Sequence, residues 1–460
     1  MKKALVPVLL TVASVLVSYL CQRHTLVCQE YDGLFLWAPD YFSWVLSRPL
    51  PVSQALSDFM TQFYRIAACG PWLVGLQVLL AWLLLKDILP RKWMIIPTLG
   101  ACAEWLVIAF SPTAKPGVAI LLFLTVLWLI SLFFHREKES SGKWPWIPVA
   151  PVVVCALVVA FHPTVRHTER WAKVKSGVIY LKPDRVLSAA TPDQVRKERE
   201  LTPFALLALG DKFELSERMF EYPVYEENDF DMCLEEDYYN SLFFRAFLYD
   251  RLRCEDEACH NLFQLATQQR HGMSFMVLRQ LVTEYYRQGD YGLVEKYCRI
   301  LDRSSAHREF TASFRRLMEE EGAPREKDTA ESRGEAPLIT RNPLYNLMQL
   351  STLGKTSDYS VDRLLCTLLL QRDLQRFGPA FEAAVNSPRF ATHIPVVYQE
   401  GMLLYYDDAN IPIGERINWF APHTMGRHRR FFEQMDGGVD VKEQQADYGD
   451  TYWFYYYYAE

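Results

Sequence analysis

The chain has 460 residues, half of them hydrophobic and 14% aromatic, and a formal net charge of -6. The charge is uneven: up to His162 there are 12 Lys and Arg against 8 Asp and Glu, and beyond it 37 against 47. The larger, acidic part is therefore a poor candidate for a nucleic-acid binder, which must neutralise phosphates, and it would not be drawn to an anionic lipid surface.

Five apolar stretches crowd the first third, at residues 4–21, 66–85, 93–110, 117–134 and 146–161. Each is close to the roughly 20 residues an α-helix needs to cross about 30 Å of hydrocarbon, so 1–162 is predicted to be a transmembrane helical domain. Lys2 and Lys3 would suit a signal peptide, but Ser18-Tyr19-Leu20-Cys21 is a poor cleavage site, and the first stretch reads as a retained anchor. Pro148 and Pro151, in the first half of the fifth stretch, are tolerated in a first turn.

Lys2 and Lys3, then Lys86, Arg91 and Lys92, then Arg136, Lys138 and Lys143 fall on alternate sides, which puts the N-terminus in the cytoplasm. Five crossings place everything after His162 outside, in the periplasm of a Gram-negative cell. Arg166, Arg170, Lys173 and Lys175 run against that side, but long domains translocate largely regardless of charge.

The first long connection, from Gln22 to Arg65, holds Glu30, Asp32 and Asp40 beside Tyr31, Phe35, Trp37, Tyr41, Phe42 and Trp44. Polytopic glycosyltransferases use an acidic pair in a first external loop to orient a lipid-phosphosugar through a metal, so these three are the catalytic candidates of an enzyme reading. The aromatics equally fit an interfacial amphipathic helix. Glu104 is an intramembrane polar residue; one carboxylate is not a proton pathway, and it reads as protonated and hydrogen-bonded to a neighbouring helix or close enough to the interface to snorkel.

Beyond a linker at 163–199, helical periodicity runs through 200–318. Its clearest unit is Ser274 to Leu301, where Leu278, Leu281, Val282 and Tyr285 line one helix, Gln288 to Tyr291 supply a turn, and Val294, Tyr297, Cys298 and Leu301 line the next. This looks like a degenerate tetratricopeptide repeat, with Tyr285 and Tyr291 as partner-binding candidates. Residues 319–343, charged and with almost nothing apolar, read as a flexible insertion. A second helical block at 344–460 ends in the aromatic run Tyr452 to Tyr458. That run is expected to dock as a cap on the last helices; the alternatives are a partner-binding segment using Tyr452, Trp453 and Phe454, and a membrane-interface anchor.

Cys254 and Cys259 are candidates for a disulfide if the domain is exported, or for ordinary thiols. With His260 they make only three ligands and lack a fourth, so no metal and no cofactor is expected. The basic group His423, Arg427, His428, Arg429 and Arg430 reads as pairing with the acidic surface around it.

Four segments carry a resemblance: Phe59 to Tyr64 leading to Gly70-Pro71-Trp72, Leu368 to Leu374, Ile394 to Glu400, and Gly449 to Phe454. Through them the chain resembles an uncharacterised family of bacterial, Bacteroidales-type, multi-pass membrane proteins. The resemblance implies a polytopic anchor with a helical-repeat C-terminal domain and no established activity. The expected fold is thus all-α, a bundle of about five transmembrane helices followed by a tetratricopeptide-like solenoid. The expected function is a scaffold of the bacterial inner membrane, its partners the bilayer and another envelope protein held by the repeats, without nucleic acid. The alternative is an envelope enzyme acting on a lipid-linked sugar.

Overall fold

The structure, a computed structural model, describes residues 5–66, 68–89, 95–133, 149–224, 230, 238–269, 272–321, 343–352 and 357–458. Most of the basic connections used for orientation, Cys233 and residues 322–342 of the expected insertion lie outside them. Every regular element among the described residues is a helix. The chain folds as two units, the first built from residues 1–176 and 266–324, the second from 177–265 and 325–460.

The first unit contains α1 (Leu5–Cys21), α2 (Arg23–Asp32), α3 (Pro39–Leu46), α4 (Pro51–Thr61), α5 (Cys69–Ile88), α6 (Ile95–Phe110), α7 (Lys115–Ser131), α8 (Val149–Phe161) and most of α9 (Pro163–Ile179). Helices α1, α5, α6, α7 and α8 are the five apolar stretches, and they run alternately up and down. At one end Gln22, after α1, donates to Ala109 O in α6 at 3.0 Å, and Phe110 meets His162 edge-on at 4.8 Å. At the other end Trp82 of α5 donates to Thr98 of α6 at 3.2 Å. Their shared core includes Leu10, Val74, Val78, Ala81, Trp105, Cys155 and Val159. Gly75 allows α1 to close on α5, because a Cβ there would fall 2.4 Å from Val15 Cγ2.

Among the described residues, α5 alone of the five is by itself long and apolar enough to cross a membrane. Helix α1 has 17 residues and turns by 77° into α2, and α8 turns by 50° into α9. Helices α6 and α7, at 16 and 17 residues, are apolar but short, about 24–26 Å at 1.5 Å per residue. Pro151 falls in the first turn of α8, where its missing N–H costs nothing.

The 163–199 segment, expected as a linker, is largely helical. Val165, Trp171, Ala172, Val174 and Val178 make a buried stripe along α9, and the short helices Pro183–Leu187 and Pro192–Val195 follow. The hairpin expected at Ser274–Leu301 forms, as helices Phe275–Arg287 and Tyr291–Leu301. Ser274 caps the first by accepting from Val277 N, Asp290 caps the second by accepting from Leu293 N, and Gly289 makes the turn at φ 73°. It belongs, however, to the first unit, so it is not one member of a contiguous stack running through 200–318.

The second unit is centred on two helices. Thr202–Asp211 is buried from Thr202 to Gly210, and Asp358–Leu370 is buried over most of its length, so each reads as apolar without a clean period. Around them lie Tyr238–Arg251, Leu374–Ala384, Val396–Asp408, Pro422–Asp436, Val441–Tyr448 and Tyr452–Tyr458. Buried ion pairs tie them together: Arg251 grips Asp211 at 3.1 and 3.2 Å, and Arg389 reaches Asp362 at 2.7 Å. Cys254 and Cys259 are buried as separate thiols with no disulfide between them.

Candidate functional site

The most unusual chemistry of the first unit lies where the 272–321 segment returns to the 22–65 connection. Helix α2 is held in place by Glu169 of α9, whose carboxylate accepts from the backbone N–H of His24 and Thr25, both at 2.9 Å, and from the Thr25 hydroxyl at 2.8 Å. A carboxylate on the exposed N–H groups of a helix start is favourable both as a cap and against the helix dipole. Burial raises the Glu169 pKa, and these three donors hold it back.

Anchored there, α2 turns Glu30 and Tyr31 inward. The returning segment is stitched onto the connection by backbone and side chain alike. Phe275 N donates to Gly33 O at 3.1 Å and Trp37 N to Arg303 O at 2.8 Å, while the Trp37 indole donates to the Ser305 hydroxyl at 3.0 Å. Gln62 Oε1 accepts from both the Ser304 hydroxyl and Ser305 N at 3.2 Å, and Arg65 donates to Ala306 O at 3.3 Å.

This stitching brings His307 to Glu30, with Nε2 3.1 Å from Oε1 and both side chains 0% exposed. The approach is close but off-line for a hydrogen bond. The imidazole lies against Phe275, ring centroids 4.1 Å apart, and the Arg279 guanidinium sits over Phe310 at 4.5 Å and Tyr31 at 5.9 Å. Burial lowers the His307 pKa, Glu30 opposes that shift, and Arg279 and Arg65 reinforce it, so the neutral imidazole is favoured. A carboxyl beside a neutral imidazole is an acid–base pair by composition. Closed off from solvent, it joins two distant stretches of chain.

Of the three acidic residues singled out in the sequence, Glu30 alone is in this junction; Asp32 and Asp40 are exposed. Glu104 is buried in α6 beside Gly117, where a Cβ would stand 3.4 Å from its Oε1. Among the described residues no three His, Cys, Asp or Glu side chains group as metal ligands. Tyr285 and Tyr291 are half-buried, Tyr285 stacked on Tyr297 at 5.7 Å and Tyr291 on Tyr286 at 5.9 Å. His307, Arg279 and Ser304 were not anticipated, since nothing in their local sequence sets them apart; Gln62 lay within a segment carrying the resemblance.

A second polar centre organises the C-terminus of the second unit. Glu400 accepts from Tyr452 N at 2.7 Å, its carbonyl accepts from the Trp453 indole at 3.1 Å, and Tyr452 and Tyr455 donate their hydroxyls to Leu369 O and Leu370 O at 2.9 Å. Tyr452 and Trp453 are thereby 0% exposed, and Phe454 is half-buried. Burial pushes the Glu400 carboxyl up to about 8. His428 packs on Trp453 and Arg427 pairs with Asp450 at 2.8 Å, so those two members of the basic group serve the tail. Leu369, Glu400, Tyr452 and Trp453 come from three of the segments that carried the resemblance, and they meet here.

No curated protein and no solved structure matches the chain. The model of one family does match, over residues 1–181 and 118–459, and the chain therefore belongs to the family of unknown function DUF6057.

Proposed function

We propose that the protein is a membrane-anchored scaffold of the bacterial envelope, with the bundle of α1, α5, α6, α7 and α8 in the bilayer and its helical segments outside it presented to another protein. The observation that carries this reading is an inverted distribution of polarity. Val8, Val12 and Leu16 on α1, Leu76, Leu80 and Leu83 on α5, Phe123, Val126 and Ile130 on α7, and Val154 and Leu157 on α8 all face outward. Ser14, Ser18, Gln77, Thr98 and Glu104 are buried. Water would select the reverse, whereas hydrocarbon tolerates polar groups only in the bundle interior. The bends after α1 and α8 let each apolar helix end in a polar one, and α6 and α7 suit a bilayer that thins locally.

The end of the bundle that bears α2, α9 and the returning hairpin is the side assigned to the periplasm by the basic residues. The closed state of Glu30, with Asp32 and Asp40 left on the surface, favours a scaffold over an enzyme that needs convergent carboxylates. The hairpin, with Tyr285 and Tyr291, remains our candidate contact for an envelope protein. The test is a photo-crosslinking residue at Tyr291 in intact cells, for which the reading expects a discrete adduct with one envelope protein. Turnover of a lipid-linked sugar by the purified protein, lost on Asp32→Asn, would overturn it in favour of the enzyme.

A further inference from the structure

Helices α3 and α4 form a hairpin in which α4 is inside out for an aqueous surface. Helix α4 buries Ser53, Ser57, Asp58 and Thr61 and exposes Val52 and Leu56. Helix α3 buries Tyr41 and Val45 and exposes Phe42 and Leu46. The inward polar groups satisfy one another: Tyr41 donates to Asp58 Oδ2 at 2.7 Å and Gln54 to Asp58 Oδ1 at 2.9 Å. Outside, at the turn and flanking it, stand Leu46 at 73% exposure, Leu50 at 60% and Val52 at 65%, beside the exposed Ser47, Arg48 and Pro49.

The turn itself is unfavourable for its sequence. Leu50 has φ 55° and ψ 60°, the left-handed region that favours glycine, and it precedes Pro51. A strained leucine held out into water gains nothing from either its backbone or its side chain. A strained leucine held in acyl chains is repaid by transfer from water.

Its position and its charges say which apolar phase. Lys115, the first residue of α7, donates to Pro49 O at 2.8 Å, which fixes the tip at the level where α7 begins. Helix α4 packs along α7, which exposes Phe123, Val126 and Ile130 further along, so the tip and α7 both present apolar side chains outward. The Arg48 guanidinium lies 4.8 Å over Trp44, the pairing expected of an aromatic belt with a basic group at headgroup level.

We propose that the α3–α4 tip is an interfacial membrane anchor, with Leu46, Leu50, Val52 and Leu56 in the upper acyl region of a phospholipid leaflet and Arg48 at the lipid phosphates. The proposal rests on the reading of α1, α5, α6, α7 and α8 as a bilayer-embedded bundle. It is tested on the full chain in nanodiscs of equal parts phosphatidylethanolamine and phosphatidylglycerol. A photo-crosslinking residue is placed at Leu46, Leu50, Leu80 or Asp436, and adducts are read by intact mass. Lipid-mass shifts at Leu46 and Leu50 matching that at Leu80, with none at Asp436, are the expected result. A shift at Leu80 but not at Leu46 or Leu50 overturns the anchor and leaves the bundle standing. No shift even at Leu80 removes the bundle reading and the anchor with it. A polypeptide adduct at Leu50 in place of lipid also overturns the proposal, because it makes the tip a protein contact.

Discussion

His307 Nε2 stands 3.1 Å from Glu30 Oε1 with both side chains removed from solvent, although one belongs to the first connection and the other to the chain's return. The pair therefore reports whether the 272–321 segment is docked. Removing one partner of a buried pair leaves the other desolvated and alone. We expect His307→Ala to cost about 2–3 kcal/mol, chiefly through the cavity it leaves against Phe275, and the Glu30→Gln, His307→Gln cycle to show a coupling of about 0.5–1 kcal/mol, read from unfolding of the purified protein. Additive single effects would mean that the two do not interact.

The same pair sets a pH dependence. Burial holds the folded His307 pKa below the ordinary 6.5, so the unfolded chain binds a proton that the folded chain resists. Stability is then intact above 6.5 and falls as pH drops below it. Unfolding curves across this range should lose that limb in His307→Gln; a limb of unchanged size would assign the effect elsewhere.

The tail dock titrates in a higher window. Glu400 is raised from 4.5 to about 8 by burial, so the folded state binds the extra proton. Its contribution is complete below 4.5 and is lost as pH rises through about 8, with a slope approaching 1.4 kcal/mol per pH unit. Glu400→Gln keeps an acceptor for Tyr452 N and should flatten this slope. Trp453→Ala should cost about 3–5 kcal/mol, since the indole is wholly buried and hydrogen-bonded. Thermal unfolding with tail fluorescence measures both.

Much of this architecture is written in local pattern. The apolar stretches mark the bundle helices to within a few residues, and the Ser274–Leu301 hairpin follows from its caps and the glycine turn. Where that hairpin packs is not written locally, because an amphipathic helix specifies that a face is buried but not against which partner. The sequence pattern therefore favoured neighbouring repeats, whereas the contacts that decide are Phe275 N to Gly33 O and Ser304 to Gln62. The helix within 163–199 is hard to read for another reason: the charges of α9 obscure the stripe of Val165, Trp171, Ala172, Val174 and Val178 that a period of 3.6 would reveal. Glu30 was visible as an acidic residue among aromatics, but its meaning depends on His307, a lone histidine in an unremarkable turn.

Glu169 offers a test confined to one helix end. Its carboxylate caps α2 through His24 N and Thr25 N, and Glu169→Ala should cost about 1–2 kcal/mol without disturbing the second unit. Hydrogen exchange of the α2 amides measures it; unchanged protection would mean that α2 is held by its buried face alone.

The account rests most on α1, α5, α6, α7 and α8 forming an up-and-down bundle in the membrane with the returning hairpin on the same side as the first connection. Single cysteines at Asp32, Arg303 and Asp87, in a chain with its native cysteines replaced, can be probed with a membrane-impermeant maleimide on spheroplasts. We predict that Asp32 and Arg303 label together from outside, and that Asp87 labels only after permeabilisation. Labelling of Asp32 and Arg303 from opposite faces, or of Asp87 together with them, would contradict the account.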